Sequence, residues 1–449
     1  MQPSAEGGRG SFSMPLYSNQ DRLSAARRIV EHVGARIDAR FSVRLWDGQT
    51  IPLGRNVDTD FQVAINGPGV IGALLRRPTY ENLLAHYVRG HIDLHGDLID
   101  FAAVAREKRP RHKLKHLDRF FLLKQLLPLL LARKDGAALA HGYADDAVGR
   151  DESRRDNRAF IRFHYDLSNE FYALFLDEAM QYSCAYFTDP ANSLDQAQRD
   201  KLEMICRKLR LAPDERFLDI GCGWGGLVCY AAQHYAVRAH GVTLSQEQLD
   251  YARAKIQRLG LADRVTVELR DYATLDGEYD KIASVGMFEH IGIANMPQYF
   301  GKLNSLLRDR GLLLNHGISR RAKASRRAAR RIRPERRMLL KYVFPGSELD
   351  NVGHTIDTME TCGFEVRDVE AWREHYALTT RHWYRRLMAR RDEAIRFVGV
   401  EKFRMWALYL AGVSVGFDSG SMHICQVLAS KHGSKGASRV PLTRADLYA

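Results

Sequence analysis

Short apolar runs alternate with polar, helix-like stretches from Leu218 onward, the order of elements that builds a doubly wound sheet. The pattern predicts strands near Arg216–Ile220, Arg238–Thr243, Val265–Arg270, Tyr279–Val285 and Gly311–Gly317, with helices between them. Two later apolar runs, Phe364–Val369 and Met422–Ser430, complete seven strands. Between these two lies Glu374–Gly416, where Tyr, Trp, Phe and Leu crowd among arginines. It is an insertion large enough to roof a pocket for an apolar ligand.

The first half reads differently. Residues 1–20 are rich in Gly, Ser and Gln and are expected to be disordered. Residues 21–105 describe a small α+β domain. Alternation over Phe41–Leu53 around Asp47-Gly48 predicts a hairpin, Asp60–Ile65 a further strand, and Tyr80–Ala105 a mixture of helix and strand. Residues 106–150 form a linker that is basic over 106–119, apolar over Phe120–Leu131, and basic again at Arg133-Lys134. The apolar part is too short to span a bilayer. It either lies in the interface plane of an anionic membrane or is a buried inter-domain helix. Residues 151–449 carry the sheet.

Composition narrows the partners. A chain of 449 residues with a net charge of +13 suits an anionic partner, either nucleic acid or membrane headgroups. The run Arg320–Arg337, with ten basic residues and one Glu, reads as a headgroup patch or a solvated helix. Six cysteines without Cys-x-x-Cys or zinc-like spacing imply a reducing compartment and no metal. With no apolar signal segment and no spanning helix, the expected location is the cytoplasm.

The chemistry begins where the first sheet strand ends. Phe217-Leu-Asp-Ile-Gly-Cys-Gly-Trp-Gly-Gly226 places Asp219, Gly221, Gly223 and Gly225 on alternate positions of a strand-to-helix turn. Glycine there allows positive φ and close approach of a ligand to the backbone. A dinucleotide turn would read Gly-x-Gly-x-x-Gly; Asp-x-Gly-x-Gly-x-Gly suits a ligand with a cation and no phosphate, and S-adenosylmethionine fits. The second strand ends Thr243-Leu244-Ser245 without an acid, so Thr243 and Gln248 are expected to hold the ribose. Tyr272 after the third strand could flank the adenine. A nucleic-acid methyltransferase would carry an Asn-Pro-Pro-Tyr loop or a Pro-Cys nucleophile, and neither occurs. A purely lipid-binding protein would not need an intact cofactor turn.

Further blocks surround this turn: His164–Tyr172, Gln181-Tyr182-Ser183-Cys184-Ala185-Tyr186-Phe187, Gly286-Met287-Phe288-Glu289-His290, Asn315-His316-Gly317-Ile318 and Tyr376–Trp383. From about residue 155 to 430 these blocks resemble the cyclopropane-fatty-acyl-phospholipid synthase family, which includes the mycolic acid cyclopropane synthases. The resemblance implies a Rossmann-like class I methyltransferase of α/β fold. Its reaction would move a one-carbon unit from S-adenosylmethionine to a cis double bond of an unsaturated acyl chain in a membrane phospholipid. A carbocation would be deprotonated by bound bicarbonate to close a cyclopropane. The resemblance assigns the bicarbonate to Cys184 and Ile318 through backbone N–H groups, Glu289 as acceptor, His316 as donor and the Tyr376 hydroxyl, with Tyr409 as the alternative to Tyr376. Thr380 stands where the family pattern around Tyr376 has leucine. Tyr182 and Ser183 join the cofactor residues Asp219, Gly221, Gly223, Gly225, Thr243, Leu244, Gln248 and Tyr272. Aromatic faces suit a carbocation, which gives a use to Tyr182, Tyr186, Phe187 and Tyr409. Nothing near Cys184 in sequence would ionise its thiol, which disfavours a nucleophile. The same cofactor could instead give a methyl-branched or methylene product, or act on a sphingolipid. The expected partners are the phospholipid, an anionic inner membrane face that holds the protein peripherally, and no nucleic acid; a homodimer stays open.

Overall fold

The computed structural model describes residues 17–36, 39–58, 60–106, 118–132, 167–323, 334–433 and 440–448. The Gly- and Ser-rich start, most of the first basic run, Arg133-Lys134, the His164–Asp166 block and the centre of the arginine run fall outside them. The chain divides into two compact units, Met1–Leu139 and Ala140–Ala449.

In the first unit, α1 (Asn19–Gly34) precedes β1 (Ser42–Arg44), β2 (Thr50–Pro52) and β3 (Gln62–Ile65). Then come α2 (Pro68–Arg76), α3 (Tyr80–Val88), β4 (Ile92–His95), α4 (Leu98–Arg106) and α5 (Arg119–Leu130). The strands form one sheet in the order β2-β1-β3-β4, and β1 and β2 are the antiparallel hairpin expected around Asp47-Gly48. The apolar segment that reads as part of a linker is α5. It belongs to this unit, with Leu129 fully buried beside Leu23, Val43, Leu45 and Ile51. Its other side keeps Phe120, Leu123, Leu127 and Leu131 exposed. A helix apolar all round buries only the stripe its neighbours cover.

The second unit opens with the short α6 (Asn169–Ala173) and with α7 (Leu194–Leu209). The sheet strands and helices follow as β5 (Arg216–Ile220), α8 (Gly226–Tyr235), β6 (Arg238–Thr243), α9 (Gln246–Arg258), β7 (Val265–Leu269), β8 (Tyr279–Val285), α10 (Met296–Leu306) and β9 (Leu307–Ser319). After α11 (Pro334–Tyr342) and α12 (Val352–Thr361) come β10 (Phe364–Ala371), α13 (Arg373–Ala389), α14 (Arg391–Asp418, broken at Gly399), β11 (His423–Lys431) and α15 (Ala445–Tyr448). The seven strands run in the order β10-β11-β9-β8-β5-β6-β7. β9, β8, β5, β6 and β7 are parallel, and β10 and β11 are antiparallel to their neighbours. This is the predicted α/β fold. The apolar residues of β5 are buried as a continuous run, as a central parallel strand requires. The chain reverses direction across the sheet between β5 and β8, and ligands of such sheets bind beyond the strand ends at that point.

Candidate active site

Beyond β5, Gly221 adopts φ +78°, and a Cβ there would press on the Met287 side chain at 3.0 Å. At Gly223 nothing lies within 4 Å of an added Cβ, so the backbone itself is the wall of the pocket that Gly223 lines. This is a cradle for a ligand that touches main chain, and S-adenosylmethionine fits it. Tyr182, Ser183, Asp219, Gly221, Gly223, Thr243, Leu244, Gln248 and Tyr272 all line this one pocket. Gly225 does not. It starts α8 in a left-handed conformation, φ +76°, where a Cβ would meet Ala252 at 3.1 Å, so its glycine serves helix packing.

The ribose candidates are preorganised. The Thr243 hydroxyl donates to Gln248 Oε1 at 2.8 Å and accepts from the Ser245 N–H at 3.2 Å, all buried. This leaves the Gln248 amide NH₂ as a donor at the pocket wall. Tyr272 stands edge-on to Tyr299 at 5.2 Å, and burial pushes its phenol up to about 12. Burial also lifts the Asp219 carboxyl to about 7, against the opposing charge of Lys201. Met287 and His290, from the block after β8, line the same pocket, as do Lys201 and Arg270, which no local motif marks.

A second cluster sits where β8 and β9 end. Glu289 lies in the 3₁₀ turn Phe288–His290 after β8. Its Oε1 accepts the Ile318 N–H at 2.6 Å, while its Oε2 is buried with no hydrogen-bond partner among the described residues. Burial raises its carboxyl to about 7, with the Ile318 N–H opposing. On β9, His316 is buried and its Nδ1 lies 3.1 Å from Gln426 Nε2. The orientation of that amide is fixed by Lys208, whose ammonium can only donate and reaches Gln426 Oε1 at 2.8 Å. Gln426 Nε2 therefore donates to Nδ1. Burial drives the His316 pKa well below its ordinary value, so the ring is neutral with its proton on Nε2, which also has no partner among the described residues. Glu289 thus offers a carboxylate acceptor and His316 an imidazole donor, each without a partner among the described residues. A small hydrogen-carbonate-like anion needs a donor for its charge and an acceptor for its hydroxyl, and these two residues supply groups of those kinds.

The other residues assigned to the base join the cluster unequally. Cys184 is fully buried with Trp372, Ala377 and Phe417, against which Ile318 and Tyr376 pack. Its thiol donates to the Trp372 carbonyl at 3.7 Å, and burial raises its pKa well above the ordinary value. It is a thiol, not a nucleophile. The Ile318 N–H expected to face an anion is held by Glu289. The Tyr376 ring lies on Phe417 at 4.5 Å, and the Thr380 hydroxyl that replaces leucine donates to the Tyr376 carbonyl at 2.7 Å. Tyr409 lies with its hydroxyl 3.3 Å from that of Tyr182, and burial, reinforced by the charge of Glu289, raises its phenol. Tyr186 and Phe187 do not line the pocket. Tyr186 packs on Trp372 and His375, and Phe187 on His375 and His382, because the chain past Cys184 is pinned by Ala185 N–H to Thr379 Oγ1 at 3.0 Å and Phe187 N–H to His375 Nδ1 at 3.0 Å.

A glycine cradle at the switch point of this sheet defines a class I S-adenosylmethionine-dependent methyltransferase. Within that class the chain belongs to the mycolic acid cyclopropane synthetase family, whose profile matches residues 152–427. It is 37% identical over 408 residues to a probable fatty acid methyltransferase of Pseudomonas putida, covering 90% of this chain and 95% of that one. It is 37% identical over 281 residues to the cyclopropane-fatty-acyl-phospholipid synthase of Escherichia coli K12, covering 62% and 70%. Among solved structures, mycolic acid cyclopropane synthase CmaA1 complexed with SAH and CTAB superposes with TM-score 0.58 at 30% identity, covering 63% of this chain and all of that one. The cyclopropane synthase MmaA2 of Mycobacterium tuberculosis gives TM-score 0.58 at 28% identity, covering 61% and 98%.

Proposed function

We propose that the enzyme closes a cyclopropane across a cis double bond of an unsaturated acyl chain carried by a membrane phospholipid, with bicarbonate as the base. Bound S-adenosylmethionine supplies an electrophilic methyl carbon, and bicarbonate supplies a basic oxygen. The observation that carries the reading is the buried pair Glu289 Oε2 and His316 Nε2, each without a partner among the described residues. Methylation of an alkene leaves a carbocation, and ring closure requires loss of a proton from the added carbon. A donor and an acceptor held in a dry site are what a small basic anion needs for orientation. Tyr182, at the pocket wall and with its hydroxyl beside that of Tyr409, would supply aromatic character to the cationic stage. Cys184, Ile318 and Tyr376 would enclose the anion from the apolar side.

The test is purified protein with S-adenosylmethionine, bicarbonate and vesicles of a cis-unsaturated phospholipid, with the acyl chains analysed by mass spectrometry and proton NMR. A gain of one CH₂ with cyclopropane proton signals is expected. No mass gain overturns the substrate, and an exocyclic methylene isomer overturns ring closure. The Pseudomonas putida relative, which spans nearly the whole chain, carries the broader description, so an open-chain methylated product is the second reading.

Substrate of this kind is reached at a bilayer surface. No helix among the described residues is long and apolar enough to cross a membrane. The exposed row Phe120, Leu123, Leu127 and Leu131 of α5, with the exposed Lys124 beside it, has the chemistry of a segment lying in an anionic interface. Replacing both Leu123 and Leu127 by Glu is expected to weaken sedimentation with anionic vesicles by about tenfold or more, with an unchanged circular dichroism spectrum. Equal binding by the variant, or equal binding to neutral vesicles, would remove α5 as the contact.

A further inference from the structure

Helix α7 buries two lysines, Lys201 and Lys208, and their surroundings differ in one respect. Lys208 pairs with Glu370 and lies 3.9 Å from an oxygen of Asp368. Lys201 is equally buried, yet its ammonium bonds only neutral oxygens, Gln181 Oε1 and Ser183 Oγ, the latter at 3.1 Å. Among the described residues no carboxylate forms an ion pair with it. Asp177 is committed to the backbone N–H groups of Ala179 at 2.9 Å and Gln181 at 2.7 Å. A buried ammonium without an anion is costly, and such a group persists where a ligand completes the pair.

Lys201 lines the cofactor pocket. The other basic groups on that wall are accounted for. Arg270 lies 3.6 Å from Glu268 and 3.8 Å from Asp276, and burial depresses His290 to about 4, which leaves it neutral. The cofactor carries two cations, its sulfonium and α-ammonium, and one anion, its α-carboxylate. We propose that Lys201 is the counter-ion of the cofactor's α-carboxylate, acting from α7 alongside the Ser183 hydroxyl it touches. Burial lowers the ammonium to about 8, with the charges of Asp177 and Asp219 opposing, and an arriving carboxylate would raise it again. Gln198, one turn earlier on α7, donates to the carbonyls of Gln181 at 3.3 Å and Ser183 at 3.0 Å, which keeps this wall in place independently of Lys201.

The inference rests on the use of S-adenosylmethionine and not on the acyl substrate, and its test reads binding alone. Calorimetric titration of the full chain compares S-adenosylhomocysteine with its decarboxylated analogue, S-adenosyl-3-thiopropylamine. The wild-type protein is expected to prefer S-adenosylhomocysteine by about 30-fold, the worth of one charge-assisted contact. Lys201→Met is expected to abolish that preference by weakening S-adenosylhomocysteine alone, and Lys201→Arg to restore most of it. Equal affinities of the wild type for the two ligands overturn the proposal without any variant. Parallel loss of both ligands in Lys201→Met overturns it too, because that marks Lys201 as a strut for the 181–183 wall.

Discussion

Glu289→Gln is expected to bind S-adenosylhomocysteine as the wild type does and to lose turnover by roughly 10²- to 10³-fold. The substitution is isosteric and keeps an oxygen for the Ile318 N–H, but it turns the unpartnered Oε2 from an acceptor into a donor. An anion that presents a hydroxyl there would then meet a donor. Since burial lifts the Glu289 carboxyl from 4.5 to about 7, the acceptor exists only above that pH. The wild-type rate should therefore rise through about pH 7, and the variant should lack that limb. Stability moves the opposite way. An acid whose pKa is raised by folding binds more protons folded than unfolded between the two values, so stability declines as pH climbs from 4.5 to about 7. Glu289→Gln should accordingly melt higher than the wild type at pH 8. Near-normal turnover in a variant that binds cofactor would refute the role.

Gln426→Met is expected to lower turnover by roughly 10²-fold while leaving cofactor affinity unchanged, because Gln426 bonds His316 and does not line the cofactor pocket. The amide transmits the direction of the Lys208 ammonium to the imidazole, so that Nδ1 must accept and Nε2 must carry the proton. A thioether cannot donate, and the proton is then free to occupy Nδ1. Nitrogen-15 chemical shifts of His316 should show a single tautomer in the wild type and a mixture in the variant. A variant slowed to the same degree with the tautomer unchanged would assign the loss to packing instead.

The parts of the molecule legible in the sequence are those with a period or a local motif. The strands of the sheet announce themselves because parallel central strands are apolar on both faces, and the Asp219–Gly225 turn because only glycine tolerates its backbone. Even so, Gly225 shares the alternate spacing of Gly221 and Gly223 without lining the pocket, since spacing does not say which glycine faces ligand and which faces α9. The segment after Cys184 has no period, so the directions taken by Tyr186 and Phe187 were not readable from it. α5 defeats periodicity in another way: with apolar residues on every side, no stripe marks the face that packs. β9 begins at Leu307, not Gly311, because Leu307 pairs with Tyr279 ahead of a register shift, and regular pairing resumes at Leu312 opposite Lys281. Lys201, Lys208 and Gln426 act through partners far away in the chain, the Lys208–Gln426 bond spanning 218 residues, and carry no local signature.

Lys201 and Lys208 stand one heptad apart on α7 and so share a face, two turns and roughly 10 Å along the axis. One lines the pocket of the methyl donor; the other orients, through Gln426, the imidazole of His316. In the proposed reaction a single rigid rod would thus act as a caliper between its two halves. Inserting one residue between the two lysines would swing one of them about 100° around the rod and uncouple donor from acceptor, though every side chain in either cluster were still present.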